Sequence, residues 1–187
     1  KIKPFPGQHI HYLDVAHFSF LNLEKAFEGD VNWNYPGHGK LWAYHLNYFD
    51  YLHQPGMTWE TGRVLIDDFL NDFSNRTEGM EPYPVSLRTI NWIKFLALHQ
   101  RYPQEVVDLI YAQYRVLTKR LEYHLLGNHL LENGFSLLFG AVFFQDEKLG
   151  NLARKILLNG LEEQILEDGS HFELSPMYHT ILLQRAL

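Results

Sequence analysis

The chain has no cysteine, so no disulfide framework holds it and no thiol chemistry occurs in it. It has no apolar run of about 18 residues or more, the length a membrane-spanning helix needs. The longest candidate, Phe135 to Phe144, is short and is broken by Ser136 and Gly140. It has no block of like charge. The net charge of −6 argues against nucleic acid as a partner, because phosphate binding calls for a basic face. There is no glycine-rich phosphate loop and no G-x-S-x-G elbow. The eleven His are scattered, and none forms a recognised zinc spacing. His171, Glu173 and His179 are the nearest approach to a metal set and are set aside, so neither metal nor cofactor is expected. The chain begins Lys1-Ile2-Lys3-Pro4, without a start methionine or a charged-then-apolar leader. It reads as a mature or trimmed product, which leaves room for a secretion signal removed from it.

What is present is bulk and aromatic surface. The 187 residues are 46% hydrophobic, enough for one domain or part of one with a real core, and Tyr, Phe and Trp number 11, 13 and 4. Most of these rings suit a helical core. Sugar-binding clefts use the same side chains as stacking platforms, with polar groups fixing orientation.

Residues 1–40 show no clear period and are punctuated by Gly7, Gly29, Pro36, Gly37 and Gly39. They read as an N-terminal arm with one short helix near Phe20-Leu21-Asn22-Leu23-Glu24. From Leu41 the pattern is helical. The first helix runs Leu41 to His53, stopped by Pro55-Gly56. Thr58 caps a second that extends to about Phe73. Ser86 caps a third to about Arg101, and Pro103 opens a fourth with Val106, Val107, Ile110, Tyr114, Leu117 and Leu121 near a 3.6-residue period. Gly127-Asn128 opens a fifth. Asp146 starts a sixth that ends before Asp168-Gly169, and Ser175-Pro176 starts a seventh. The odd helices begin near 41, 86, 127 and 175, each followed by a turn and a return helix, which is a repeated αα-hairpin. The expected fold is all-α, an incomplete (α/α) toroid of antiparallel helical hairpins over residues 41–187.

The odd helices carry the polar groups. Asn128, His129 and Glu132 occupy the first turns of an otherwise apolar helix, and spacings of three and four place them on one face. Glu132 is the only carboxylate in that run, and burying it is costly unless it is paired or faces a cleft. Asn128 serves equally as a helix cap, and His129 with Glu132 as a surface pair. Arg88, Asn91 and Trp92 are balanced between a ligand clamp with a stacking platform and a solvated face over a buried Trp. Tyr48 suits packing and subsite alike. Ser175-Pro176-Met177-Tyr178-His179 adds a phenol and an imidazole at the start of the last helix.

Four segments, in order, resemble the helical domain of heparinase II/III-like polysaccharide lyases: Leu41–Leu52 (LWAYHLNYFDYL), Glu81–Lys94 (EPYPVSLRTINWIK), Glu122–His129 (EYHLLGNH) and Asp168–His179 (DGSHFELSPMYH). The resemblance covers the chain from about Trp33. Family members often have Asn then His where this chain has His45 then Asn47. The resemblance implies a helical toroid followed by β-sandwich domains, a periplasmic or secreted location, and β-elimination on a uronic-acid-containing acidic polysaccharide. It implies Asn128, His129 and Tyr178 as catalytic residues. Glu132, Tyr48, Arg88, Asn91, Trp92, Glu173 and His179 are substrate-binding candidates. In the family a later sheet domain completes the site, and the resemblance implies that this part is missing from the 187 residues. The chain alone is therefore expected to be inactive, and to expose Ile181, Leu182, Leu183 and Leu187 at an open edge through which it self-associates.

The chemistry suits these residue types. Elimination removes the proton beside the uronate carboxylate and expels the O4 substituent, so the carboxylate must be neutralised. Asn128, with a protonated Glu132 or His129, would supply hydrogen bonds, and Tyr178 the base or acid, its phenol ordinarily titrating near ~10. Two rivals remain: a carbohydrate-binding or assembly module without chemistry, and a toroid-type glycoside hydrolase using Glu132 and Glu173 as its carboxyl pair.

Overall fold

The computed structural model describes residues 10–71, 73–75, 77–123 and 128–186. They are predominantly helical, with a small three-stranded sheet, and form two compact units, Lys1–Ala112 and Gln113–Leu187.

The first unit opens with the sheet: β1 Tyr12–Asp14, β2 His17–Phe20 and β3 Leu23–Ala26, antiparallel in the order β1-β2-β3. The short helix expected around Phe20–Glu24 is therefore a hairpin. Phe20 pairs with Leu23 across the two-residue loop Leu21-Asn22, both at positive φ (55° and 62°). Such a loop matches the natural twist of two strands. Along β2, Phe18 and Phe20 are buried while His17 and Ser19 are only half-buried, the alternation of a one-sided sheet. Those rings meet Tyr51 and Trp42 edge-on, at 5.3 and 5.2 Å between centroids. Gln54 clasps β1 from the side: its Oε1 accepts from His11 N and Tyr12 N, both at 3.0 Å, and its Nε2 donates to Tyr12 O at 2.7 Å.

Helices α1 (Lys40–Tyr48), α2 (Trp59–Asn71) and α3 (Pro82–His99) follow, with the start of α4 (Gln104–Leu117). The first helix is shorter than expected. Phe49 takes the left-handed conformation, and a 3₁₀ turn, Asp50–His53, replaces the last turn. The third begins at Pro82, with proline in its first turn, and Ser86 is a buried interior residue rather than a cap. Pro103 lies just before α4, its carbonyl accepting from Val106 and Val107. The core is aromatic: Trp33 stacks on Phe49 at 4.9 Å, and Trp92 meets Phe49 and Phe69 edge-on at 5.3 and 5.5 Å.

The second unit holds the end of α4 with α5 (Asn128–Phe144), α6 (Glu147–Gln164) and α7 (Pro176–Ala186). Gly127, expected to open α5, lies outside the described residues. Asp146 caps α6, its carboxylate accepting from Lys148 N and Leu149 N. Close packing of α5 on α6 depends on glycine: a Cβ on Gly160 would lie 2.6 Å from Leu131, and one on Gly134 would lie 2.9 Å from Ile156. Leu131, Phe135, Leu157 and Leu182 form the core. Leu182 is 3% exposed, so it is not an open-edge residue. Leu183 is the exposed one, and Leu187 lies outside the described residues. After α6 a tight turn closes with Leu166 N donating to Ser170 O, and Asp168 Oδ1 accepts from the Ser170 amide and hydroxyl at 2.9 and 2.6 Å. Ser175-Pro176 then starts α7 as the sequence suggested.

Candidate active site

Asn128, His129, Glu132 and Asn133 lie in the first two turns of α5 in the second unit. The expected His129–Glu132 pair does not form there; each makes a longer-range contact. Glu132 has no exposed surface, and its Oε1 accepts from Arg185 Nε of α7 at 2.7 Å. This is a carboxylate held by a guanidinium, so the Glu132 that would serve as a protonated donor is instead one half of an ion pair. Its Oε2 is buried without a hydrogen-bond partner among the described residues. Burying a charge is tolerable only with such a partner.

His129 turns the other way. Its Nδ1 lies 3.3 Å from Glu122 Oε1, with the imidazole partly exposed and Glu122 buried. Glu122 is itself gripped by fully buried Asn133, which donates from Nδ2 to Glu122 Oε2 at 3.2 Å and accepts from Glu122 N at 3.1 Å. His129 and Asn133 are four apart on one face of α5, which is why one carboxylate meets both. Sequence reasoning missed Glu122, Asn133 and Arg185. Glu122 stood inside a family-like segment without a role, and nothing local shows that residue 185 returns to residue 132.

The turn after α6 and the start of α7 line an open hollow of about 470 Å³, bordered by Asp168, Gly169, Ser170, His171, Leu174, Ser175, Pro176 and His179. His171 is buried in its wall. Its Nδ1 accepts from Glu173 N at 3.4 Å, so the neutral ring carries its proton on Nε2, which donates to Gln164 Oε1 at 3.1 Å. Tyr178 is half-buried, its ring 6.2 Å from that of His171. Glu173 and His179 are exposed. Tyr178 and Arg185 are seven residues apart on α7, about 10 Å along one face.

The remaining candidates belong to the first unit. Trp92 has no exposed face for stacking. Arg88, also without exposed surface, donates to Gly79 O at 3.0 Å and Asn47 O at 3.2 Å, with its guanidinium 4.8 Å from the Phe69 ring centre. Asn91 donates to Tyr48 O at 2.9 Å. The clamp-and-platform reading of these three is therefore corrected: Arg88 and Asn91 tie the end of α1 to α3 from inside by serving the Asn47 and Tyr48 carbonyls that a buried helix end leaves open, and Trp92 packs its ring against Phe49 and Phe69. Tyr48 is buried too, its ring 5.2 Å from His45 and 6.1 Å from Tyr83.

Also in the first unit, Lys40 Nζ meets Glu81 Oε1 at 2.8 Å. Burial, together with the Glu81 carboxylate, pushes the Tyr44 phenol up to about 12. Burial raises the Asp50 carboxyl and lowers the His45 imidazole, while their mutual attraction opposes both shifts. Among the described residues no helix is long and apolar enough to cross a membrane, and no three His, Asp or Glu side chains form a metal-holding group.

Residues 87–187 match the family described as the heparinase II/III N-terminus, more than half of the chain, and the protein belongs to that family. The match begins inside α3, so the sheet, α1 and α2 lie outside it. No curated protein and no solved structure matches the chain.

Proposed function

We propose that the protein is a polysaccharide lyase domain acting by β-elimination on a uronic-acid-containing polymer, with its hairpins forming successive arcs of an (α/α) toroid. The observation that carries this reading is the head of α5, inside the region of the family match: Asn128 is its buried first residue, and His129 and Glu132 are each placed by a contact the helix alone does not require. In the proposed reaction the C5–H bond of the uronate breaks, a C4=C5 double bond forms, and the C4–O4 bond breaks as the leaving oxygen takes a proton. The Asn128 amide hydrogen-bonds the uronate carboxylate. Donors of this kind, fixed in advance where charge develops, are worth roughly 3–4 kcal/mol. His129 and Tyr178 move the protons, His179 contacts the polymer from the cavity rim, and the Arg185–Glu132 pair holds the site's polar floor. By family resemblance the protein would work in the periplasm or outside the cell.

The test, in a protein that carries the sheet domain as well as these helices, is ultraviolet absorbance of the unsaturated product with a panel of uronate polymers. New reducing ends without that chromophore would indicate hydrolysis, and binding without cleavage a carbohydrate-binding module. In a cleaving protein, Tyr178→Phe should lower turnover by about 10²-fold or more, the usual contribution of a positioned acid or base, with polymer binding nearly unchanged. Retention of more than about a tenth of the activity would make Tyr178 structural.

A further inference from the structure

We infer that Glu122, locked by Asn133, is a positioning residue that fixes the tautomer of His129 and so decides which ring nitrogen meets the substrate. The inference rests on the lyase reading for its catalytic consequence, and on geometry alone for the tautomer. The Glu122 N–H can only donate, so the Asn133 atom facing it is Oδ1. The other end of that amide, the NH₂, must then face the Glu122 carboxylate and donate to Oε2. With Oε2 occupied and Asn133 buried, the carboxylate cannot rotate freely, and Oε1 is presented to His129 Nδ1. An ionised carboxylate only accepts, so the facing Nδ1 carries the hydrogen. In the neutral ring the lone pair is then on Nε2, and Nε2 is the atom able to take a proton from substrate. A group hydrogen-bonded to one imidazole nitrogen sets the role of the other in this way.

The argument makes a directional prediction for Glu122→Gln. The Asn133 NH₂ still requires an acceptor, so the glutamine oxygen takes the Oε2 position and its NH₂ takes the Oε1 position. That NH₂ donates to His129 Nδ1, which must now accept, and the ring proton moves to Nε2. The substitution is nearly isosteric, yet it exchanges the functions of the two nitrogens.

The experiment is ¹⁵N NMR of the histidine rings in the full chain, with His129 assigned through a His129→Gln variant, at a pH where the ring is neutral. The expected result is the Nδ1–H tautomer in the unmodified protein and the Nε2–H tautomer in Glu122→Gln. An Nε2–H ring in the unmodified protein overturns the inference, and this needs no variant to fold. An unchanged tautomer in a folded Glu122→Gln protein overturns it equally. With a cleaved polymer, Glu122→Gln should lower kcat by about tenfold or more, within the range of general acid–base contributions, while KM changes less than about twofold. A switched tautomer with kcat unaltered would remove the catalytic consequence. Both expected tautomers without cleavage of any uronate polymer, in a protein that carries the sheet domain as well as these helices, would refute the lyase reading and leave the positioning intact.

Discussion

Replacing Arg185 by methionine isolates the energetics of the buried carboxylate. Met keeps most of the apolar stem and removes the only charge shown against Glu132, which has no exposed surface and no other hydrogen-bond partner among the described residues. The Arg185 side chain is 26% exposed, so the two halves of the pair are unequal: the arginine can reach water when its partner goes, and the glutamate cannot. Removing one member of a buried ion pair costs about 3–5 kcal/mol, chiefly because the other charge is stranded. Arg185→Met should therefore fall in that range. Glu132→Leu should cost much less, and the double variant should recover most of the loss, since an apolar pair of similar volume is often neutral or better. Urea unfolding of the four proteins in a double-mutant cycle measures this, with the free energy read from the midpoint and slope. A cost below about 1 kcal/mol for Arg185→Met would refute the reasoning, since it would mean that water or another group already satisfies Glu132. The same experiment tests the seat of α7, because Leu182 on that helix completes the core of the second unit.

Two further perturbations probe packing and protonation. Gly160→Ala places a methyl group about 2.6 Å from Leu131, so despite the better helix propensity of alanine it should destabilise by roughly 1–3 kcal/mol, with Leu131→Val recovering part of the loss in thermal unfolding. Burial, with the Lys94 charge, lowers the His53 imidazole to about 4, and its Nε2 donates to Asn91 O at 3.1 Å. The folded ring stays neutral while the unfolded ring takes up a proton near its ordinary value of about 6.5. Stability contributed by the neutral ring is therefore complete above pH ~6.5 and is lost as pH falls towards ~4. His53→Gln should flatten that part of the stability profile measured by denaturant midpoints, and an unchanged slope would show that other groups produce it.

Local signals by themselves determined where three of the helices begin, though not where the first ends or the third starts. Asp146, Ser175-Pro176 and Thr58 act on atoms two to four residues away, so their effect is readable wherever they occur. The three-stranded sheet was missed altogether: residues 1–40 read as an arm, and Phe20, Leu21, Leu23 and Glu24 look helical until the two positive-φ residues at the hairpin are known. The head of α5 was visible as polar residues on an apolar helix, which marks an unusual demand but not what meets it. Only the tertiary structure decided that Glu132 pairs with Arg185, that Glu122 and Asn133 hold His129, and that Arg88 and Trp92 belong to the core. Caps and turns are settled by bonding within a turn of the chain. A buried charge is settled by whichever partner the folded chain returns to it, and from residue 132 that partner is 53 positions away.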